Sequence, residues 1–255
     1  MMPHHNMHLL ASRRRARDLF VATVLIGGSF CTCLGVASKV HAVPEAEAFR
    51  KLEVIPAFVL TDDKHVPLVI PTEKGLVVSL YLERAKAYER LAALQRENTS
   101  FKAVVAAIPL NVMIDKVAEL GKQLKDRSKP LFATVIANEA DRRQAVSLLK
   151  EQGLADDIID RGLIVPVFFV KNMKIKTSGG PRDVFYMSYQ DLQNSLDTLP
   201  VSDRDKFKPQ VADLTAVLRE IIKAKDDGCI IFPSPEYFRL VKEAQSSGKV
   251  IQSAN

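Results

Sequence analysis

The chain contains two similar segments in tandem, and this internal repeat constrains its fold more than any other feature. Residues 55–60 read Ile-Pro-Ala-Phe-Val-Leu, and residues 165–170, 110 positions later, read Val-Pro-Val-Phe-Phe-Val. Residues 79–82 resemble residues 184–187 at an offset of 105, and residues 101–102 resemble residues 207–208 at an offset of 106. Short strand-like matches occur by chance, but three in the same order at a nearly constant offset indicate a duplicated unit.

The first 42 residues have the pattern of a targeting leader rather than of folded structure. Arginines cluster at positions 13–17, residues 19–37 carry no charge, and Ala42 offers a small residue for cleavage. This order is typical of a secretory signal peptide. The uncharged run is also long enough for an uncleaved membrane anchor, although its glycines make it a mediocre span. The route of export stays open.

Most of the basic character of the chain lies in this leader. The whole chain has a formal net charge of +6, and the leader contributes +4 from five Lys and Arg against one Asp, so the remainder carries +2. A nearly balanced remainder gives no support to nucleic-acid binding.

The chain after the leader has few of the residues that catalytic and metal sites require. His65 is its single histidine and Cys229 its single cysteine. His65 lies beside Asp62 and Asp63 in a turn-like stretch, which favours a solvated turn histidine, and Cys229 lies in an apolar run, which favours a small core residue. One histidine and one cysteine do not make a zinc site, and neither a Gly-x-Gly-x-x-Gly run nor a P-loop occurs. We therefore expect no catalytic constellation, no metal and no cofactor.

Hydrophobic periodicity predicts a similar order of strands and helices in both halves. In the first half, strands are predicted at 54–60, 66–70, 76–82, 101–108 and 131–136, and helices at 84–98, 110–124 and 139–151 with Asn138 as N-cap. In the second half, strands are predicted at 163–170, 174–177, 183–187 and 229–232, helices at 190–196, 211–225 and 235–245, and a polar surface loop at 200–209.

These elements predict an α/β (α+β) fold: an internally duplicated unit of mixed sheets flanked by helices, with the halves related by a pseudo-two-fold axis. We assign residues 1–42 to the leader, 43–160 to the first repeat half, 161–245 to the second and 246–255 to a flexible tail. Equivalent grooves, often apolar, are expected on the outside of such a pair.

The paired strand sequences, each followed by a strand with a tyrosine and then a helix, resemble the Tic twenty-two family. Phe-Ala-Thr-Val at residues 132–135 and the helix end Leu-Leu-Lys-Glu at residues 148–151 match as well, and the resemblance covers residues 52–243. This family is the soluble twenty-two-kilodalton subunit of the translocon at the inner envelope of chloroplasts, with relatives in the cyanobacterial periplasm. The polar stretch 200–209 departs from the pattern.

The resemblance implies a non-catalytic escort or chaperone-like component of protein import or transport across an envelope, in the plastid intermembrane space or a bacterial periplasm. Its partners would be unfolded precursor proteins and translocon or β-barrel assembly components, and peripheral association with a membrane is compatible with it. As client contacts we single out the aromatic residues at equivalent repeat positions: Phe58, Tyr81, Phe168 and Tyr186. Aromatic residues in such strands are more often ordinary core residues.

Two other functions are compatible with the sequence. An exported enzyme or small-ligand-binding protein would work through carboxylates such as Asp62, Asp63, Asp156 and Asp157, which lie in turn-like or helix-end segments where solvated charge is the ordinary role. A periplasmic structural protein without client specificity is the other alternative.

Because a basic cluster, an uncharged run and a small residue follow one another, we predict cleavage between Ala42 and Val43. N-terminal sequencing of the native protein should return a chain that begins at Val43. A chain that keeps Met1 or Met2 would contradict the signal peptide and favour an anchor.

Overall fold

The computed structural model describes residues 43–247 except 125, 127 and 225–227. The predicted leader and residues 248–255 of the predicted tail therefore lie outside the described residues. The described part of the chain forms two mixed β-sheets with helices packed between and around them.

The first sheet takes its strands from the first half of the chain. They are β1 (Pro56–Thr61), β2 (Ile70–Thr72), β3 (Gly75–Tyr81), β4 (Val104–Pro109) and β5 (Leu131–Ile136). β1 pairs antiparallel with β3 and β4, β2 pairs antiparallel with β3, and β5 pairs parallel with β3. Because β5 runs along one whole edge of β3, β1 and β2 share the other edge, and β4 lies at the outside next to β1.

The second sheet repeats this pairing strand by strand. Its strands are β6 (Pro166–Val170), β7 (Lys174–Thr177), β8 (Gly180–Tyr186), β9 (Pro209–Asp213) and β10 (Cys229–Phe232). β6 pairs antiparallel with β8 and β9, β7 pairs antiparallel with β8, and β10 pairs parallel with β8. The predicted duplication and fold class are confirmed.

The two sheets also agree in register. Phe58 of β1 lies opposite Tyr81 of β3, and Phe168 of β6 lies opposite Tyr186 of β8. The β2–β3 and β7–β8 hairpins are alike too, since Thr72 and Thr177 each donate a hydroxyl hydrogen bond to a glycine carbonyl three residues later, at 2.9 and 2.7 Å. Both glycines have positive φ, 140° and 102°, a conformation that other residues rarely adopt.

The helices follow the same order in each half. They are α1 (Glu45–Arg50) with a 3-10 helix (Lys51–Val54), α2 (Arg84–Glu97), α3 (Leu110–Gln123), α4 (Glu139–Glu151), α5 (Asp156–Gly162), α6 (Tyr189–Asp197), α7 (Val201–Arg204), α8 (Leu214–Lys223) and α9 (Pro235–Ser246). By position in the repeat, α2 corresponds to α6, α3 to α8, and α4 to α9. Asn138 caps α4 as predicted, since its side chain accepts a hydrogen bond from the Asp141 amide at 3.0 Å.

The structure differs from the predicted elements in several places, and α1 with its 3-10 helix was not predicted. The predicted helix 211–225 was wrong at its start, because residues 209–213 form β9 and the Asp213 carboxylate caps α8 by accepting from the Thr215 amide at 2.8 Å. The predicted loop 200–209 contains α7, and α5 was not predicted and includes the expected boundary between residues 160 and 161. The strand predicted at 66–70 begins only at Ile70.

One apolar layer lies between the inner faces of the two sheets and holds the halves together. The alternation of a β-strand sends every second side chain of each sheet into it, and α3 and α8 lie within the same layer. Among its buried residues are Ala57, Val59, Val78, Leu80 and Met113 from the first half and Val165, Val167, Val217, Leu218 and Ile231 from the second. Each large apolar side chain buried here stabilises the fold by about 1.5–3 kcal/mol.

The halves also exchange helices across their outer faces. α4 follows the last strand of the first sheet, but its Ala145 and Leu148 are buried in the cluster on the outer face of the second sheet. α9 follows the last strand of the second sheet, but its Leu240 packs on the cluster on the outer face of the first sheet. The outer face of each sheet is therefore in contact with a helix that belongs in sequence to the other half.

Because of the shared layer and the exchanged helices, we predict that neither half folds alone. Fragments 43–160 and 161–247 should each lack a cooperative thermal transition, and an equimolar mixture should recover one, since each fragment supplies the helix and the inner face that the other lacks. Circular dichroism during heating measures this. A cooperative transition in one isolated fragment, close to that of the whole chain, would show two independent domains.

Candidate functional site

The four aromatic residues singled out in the sequence lie at the centres of the two outer sheet faces. Phe58 and Tyr81 belong to the cluster on the first sheet, and Phe168 and Tyr186 belong to the cluster on the second. Phe58 and Phe168 are 1% and 0% exposed, so their rings are core residues and do not meet a partner in this conformation. Tyr81, at 8%, is the most exposed of the four.

The first residue of the following helix covers each buried phenylalanine. In the first half, the guanidinium of Arg84 stands over the Phe58 ring, 5.5 Å from its centroid, in a cation–π arrangement. In the second half, Tyr189 meets Phe168 edge-on with a centroid distance of 5.3 Å. The two residues occupy equivalent positions, three beyond the strand tyrosine, but sequence reasoning did not single them out because their chemistry differs.

The exchanged helix α4 closes the outer face of the second sheet tightly. The Asp141 carboxylate accepts a hydrogen bond from the Tyr189 amide at 2.9 Å and so joins α4 to the start of α6. Arg142 donates to the Leu163 carbonyl and lies 3.5 Å from Asp160, which ties α4 to the chain around α5. With Leu148 buried beneath it, α4 leaves little room between itself and the sheet.

The exchanged helix α9 covers the outer face of the first sheet less completely. Its link to α2 is a paired hydrogen bond in which the Arg84 guanidinium donates to both Glu243 oxygens, at 2.7 and 2.8 Å. This pair is exposed to solvent and contributes little to stability. Leu240 is only partly buried, and Phe238 is exposed. The first sheet is thus the less protected of the two.

An apolar pocket of about 160 Å³ opens on this less protected face, beside Tyr81. Its walls come from the end of β1, the chain leading into β2, the outer face of β3, α2 and the approach to β4. The lining residues are Leu60, Leu68, Val69, Ile70, Ser79, Tyr81, Arg90, Leu94 and Phe101. Pockets that hold drug-sized ligands measure about 300–1,000 Å³, so this one matches a single apolar side chain rather than a cofactor.

A single difference between the repeats accounts for part of this space. Ser79 forms part of the wall, and the equivalent residue of the second half is Val184, which is buried in the cluster around Phe168. Valine is larger than serine and leaves less space at this position. Ser79 was not among the sequence candidates, and its mismatch with Val184 in the repeat is the signal that could have identified it as a pocket residue.

The polar groups of the pocket lie on the same wall. Burial raises the pKa of the Tyr81 hydroxyl, while the nearby Arg90 charge and a hydrogen bond with Ser79 oppose that shift. The phenol therefore stays neutral at physiological pH and can hydrogen-bond to an occupant. The pocket combines apolar walls with a neutral donor and a cation near its mouth.

Three of the four carboxylates named for an enzyme are engaged in local structure. The Asp62 carboxylate accepts from the Lys64 and Val66 amides at 2.9 and 2.8 Å, which fixes the turn after β1. Asp156 pairs with Lys150, and Asp157 pairs with Arg161. Asp63 is exposed in the same turn.

His65 lies in the turn with positive φ, 59°, and is exposed, as the turn interpretation predicted. Within the described residues, no group of three or more His, Cys, Asp or Glu side chains is arranged to hold a metal ion. No helix in the described ranges has the length and apolar character needed to span a membrane.

Asp141, which joins α4 to α6, has a raised pKa. Burial is the main cause, the nearby Asp191 and Glu83 charges add to it, and the hydrogen bond from the Tyr189 amide opposes it. Because the folded state binds this proton more tightly than the unfolded chain, Asp141 lowers stability as pH rises through its folded pKa.

We therefore predict that Asp141→Asn keeps the hydrogen bond from Tyr189 and removes this cost. The variant should be at least as stable as the parent protein at pH 7, and the difference should shrink below the ordinary Asp pKa of 3.8, where both side chains are neutral. Urea unfolding at the two pH values measures it, with the exposed Asp115→Asn as control. If the variant is much less stable than the parent protein at pH 7 but not at low pH, the charge itself stabilises the contact.

No protein-family model matches the sequence, and no curated protein is similar to it in sequence. Its fold matches solved structures, among them two Tic22 proteins. Tic22 from Anabaena, a protein of protein transport, is 21% identical with a TM-score of 0.65, and the match covers 79% of this chain and 97% of that one. Tic22 from Plasmodium falciparum is 17% identical with a TM-score of 0.61, and the match covers 78% and 98%. The chain therefore has the Tic22 fold over 79% of its length.

Proposed function

We propose that the protein is a non-catalytic escort for unfolded precursor proteins in transport across an envelope, in the plastid intermembrane space or a bacterial periplasm. The observation that carries the proposal is the apolar pocket beside Tyr81 on the less protected sheet face. The Tic22 fold supports it, since Anabaena Tic22 is a protein of protein transport. Translocon or β-barrel assembly components are the further partners that this role requires.

The chemistry of the pocket fits an escort. Val69 and Ile70 line it and are 40% and 37% exposed, so an apolar surface surrounds its mouth. A pocket for one side chain binds weakly by itself, because burying a Leu or Phe side chain contributes about 1.5–3 kcal/mol. Weak contact gives the fast release that a moving precursor needs.

The structure changes one sequence expectation about this role. The duplication predicted two equivalent apolar grooves, but the two outer faces differ, with Val184 and the closely packed α4 on the second and Ser79 and the looser α9 on the first. We therefore assign client binding to the first face and a supporting role to the second. Among the four aromatic candidates, Tyr81 is the one that lines the pocket.

Filling the pocket tests the proposal. Ser79→Val places in the first repeat the side chain that the second repeat already has, and it should weaken binding of a labelled apolar peptide at least fivefold while the melting temperature changes little. Binding of the parent protein should fall only slightly between low and physiological salt, because apolar burial is not screened by ions. Fluorescence anisotropy at two ionic strengths measures both.

Val201 provides a matched control, because it is exposed and does not line the pocket. Val201→Ser should leave peptide affinity unchanged. If the parent protein binds no unfolded segment, or if its affinity collapses with salt, the escort proposal fails. If Ser79→Val binds as well as the parent protein, the pocket is not the contact.

A further inference from the structure

We propose that the outer edge of β4 binds an extended apolar segment of a precursor as an added strand of the first sheet. The proposal rests on the proposed function for the identity of the occupant. The backbone geometry of β4 supports binding at this edge, and the edge is a separate surface from the pocket.

The register of β1 and β4 shows which backbone groups of β4 point outward. The Leu110 amide donates to the Ile55 carbonyl at 2.9 Å, which makes these two residues a hydrogen-bonded pair. In an antiparallel ladder such pairs alternate with pairs whose backbone groups point away. Val105, opposite Leu60, and Ala107, opposite Phe58, therefore direct their N–H and C=O groups toward the outer edge.

The centre of this edge lacks the usual protection of an edge strand. Outside the pairing with β1, no backbone hydrogen bond joins Val105 or Ala107 to another part of the described chain. Residues 103–108 carry no charge and no proline, and Pro109, the last residue of β4, is the outward-facing position without an N–H. Natural edge strands are normally blunted by lysine, proline or a bulge, because an unprotected edge pairs with other chains.

The second repeat differs at the equivalent edge. Val211 of β9 lies opposite Phe168 as Ala107 lies opposite Phe58, so the position equivalent to Val105 is Pro209. A proline has no N–H to offer an added strand. Each strand therefore has one proline among its outward positions, at the start of β9 and at the end of β4.

The size of the edge favours an extended peptide over a second copy of this chain. β4 has six residues, and a strand of that length extends for about 20 Å. The surface area that is buried by pairing along so short an edge is well below the roughly 1,200 Å² that a stable protein interface buries. Backbone pairing does not depend on sequence, so it suits precursors that differ from one another.

Amide hydrogen exchange tests the proposal on the natively processed, isotope-labelled protein. The probe is an end-capped synthetic peptide of alternating valine and threonine, and its matched control carries N-methyl groups on alternate residues and cannot pair. With saturating probe, exchange at Val105 and Ala107 should slow at least tenfold. The amides of Ala106 and Ile108, which are bonded to β1, should be slow with or without it.

Two variants at one position separate edge pairing from other binding. Ala107→Pro removes an outward N–H without removing a bond to β1, so it should abolish the slowing at Val105. Ala107→Thr keeps the N–H and should behave like the parent protein. Thermal melting confirms that both are folded.

Three results would overturn the proposal. One is probe binding without slower exchange at Val105 and Ala107. Another is slowing that the N-methylated peptide also causes. The last is slowing that needs no peptide and rises with protein concentration, which would mean that a second copy occupies the edge. Since Ser79→Val acts on the pocket and Ala107→Pro on the edge, loss of the edge effect alone leaves the proposed function standing.

Discussion

The apolar layer between the two sheets is the contact on which the rest of the structure depends. A sheet with side chains on both faces has to cover both, and each repeat covers only part of its own surface. The inner faces cover each other through the layer around Val59 and Val167, and the outer faces receive α9 and α4 in exchange. We therefore expect the two repeats to unfold as one cooperative unit.

Because of this arrangement, the two repeats can have the same fold and still differ in the surfaces that they expose. The second repeat is closed by α4 and by Val184 at the pocket position. The first repeat has the looser α9 and Ser79 at the corresponding places. A closed repeat supplies stability, and an open one supplies surface for contact. The proposed function places contact on the first repeat for this reason.

Sequence periodicity predicted most elements, since β5, β7 and β10 were predicted at their observed bounds. β9 was missed because Val211 fits the helical spacing of Leu214 and Val217, and only the Asp213 cap shows that the helix starts later. The exchange of α4 and α9 was not predictable, because a helical pattern shows which face is apolar but not which sheet it meets. The pocket was hidden because it depends on how β1, β3 and α2 pack around Tyr81, which periodicity does not show.

The helix exchange also determines the order in which parts of the fold can form. Leu240 reaches the cluster around Phe58 from some 180 positions further along the chain, and contacts between such distant residues form late. A chain that emerges N-terminus first therefore keeps the part of its first sheet beyond α2 uncovered until its last helix arrives. The surface that waits longest for its cover is the one to which we assign the client.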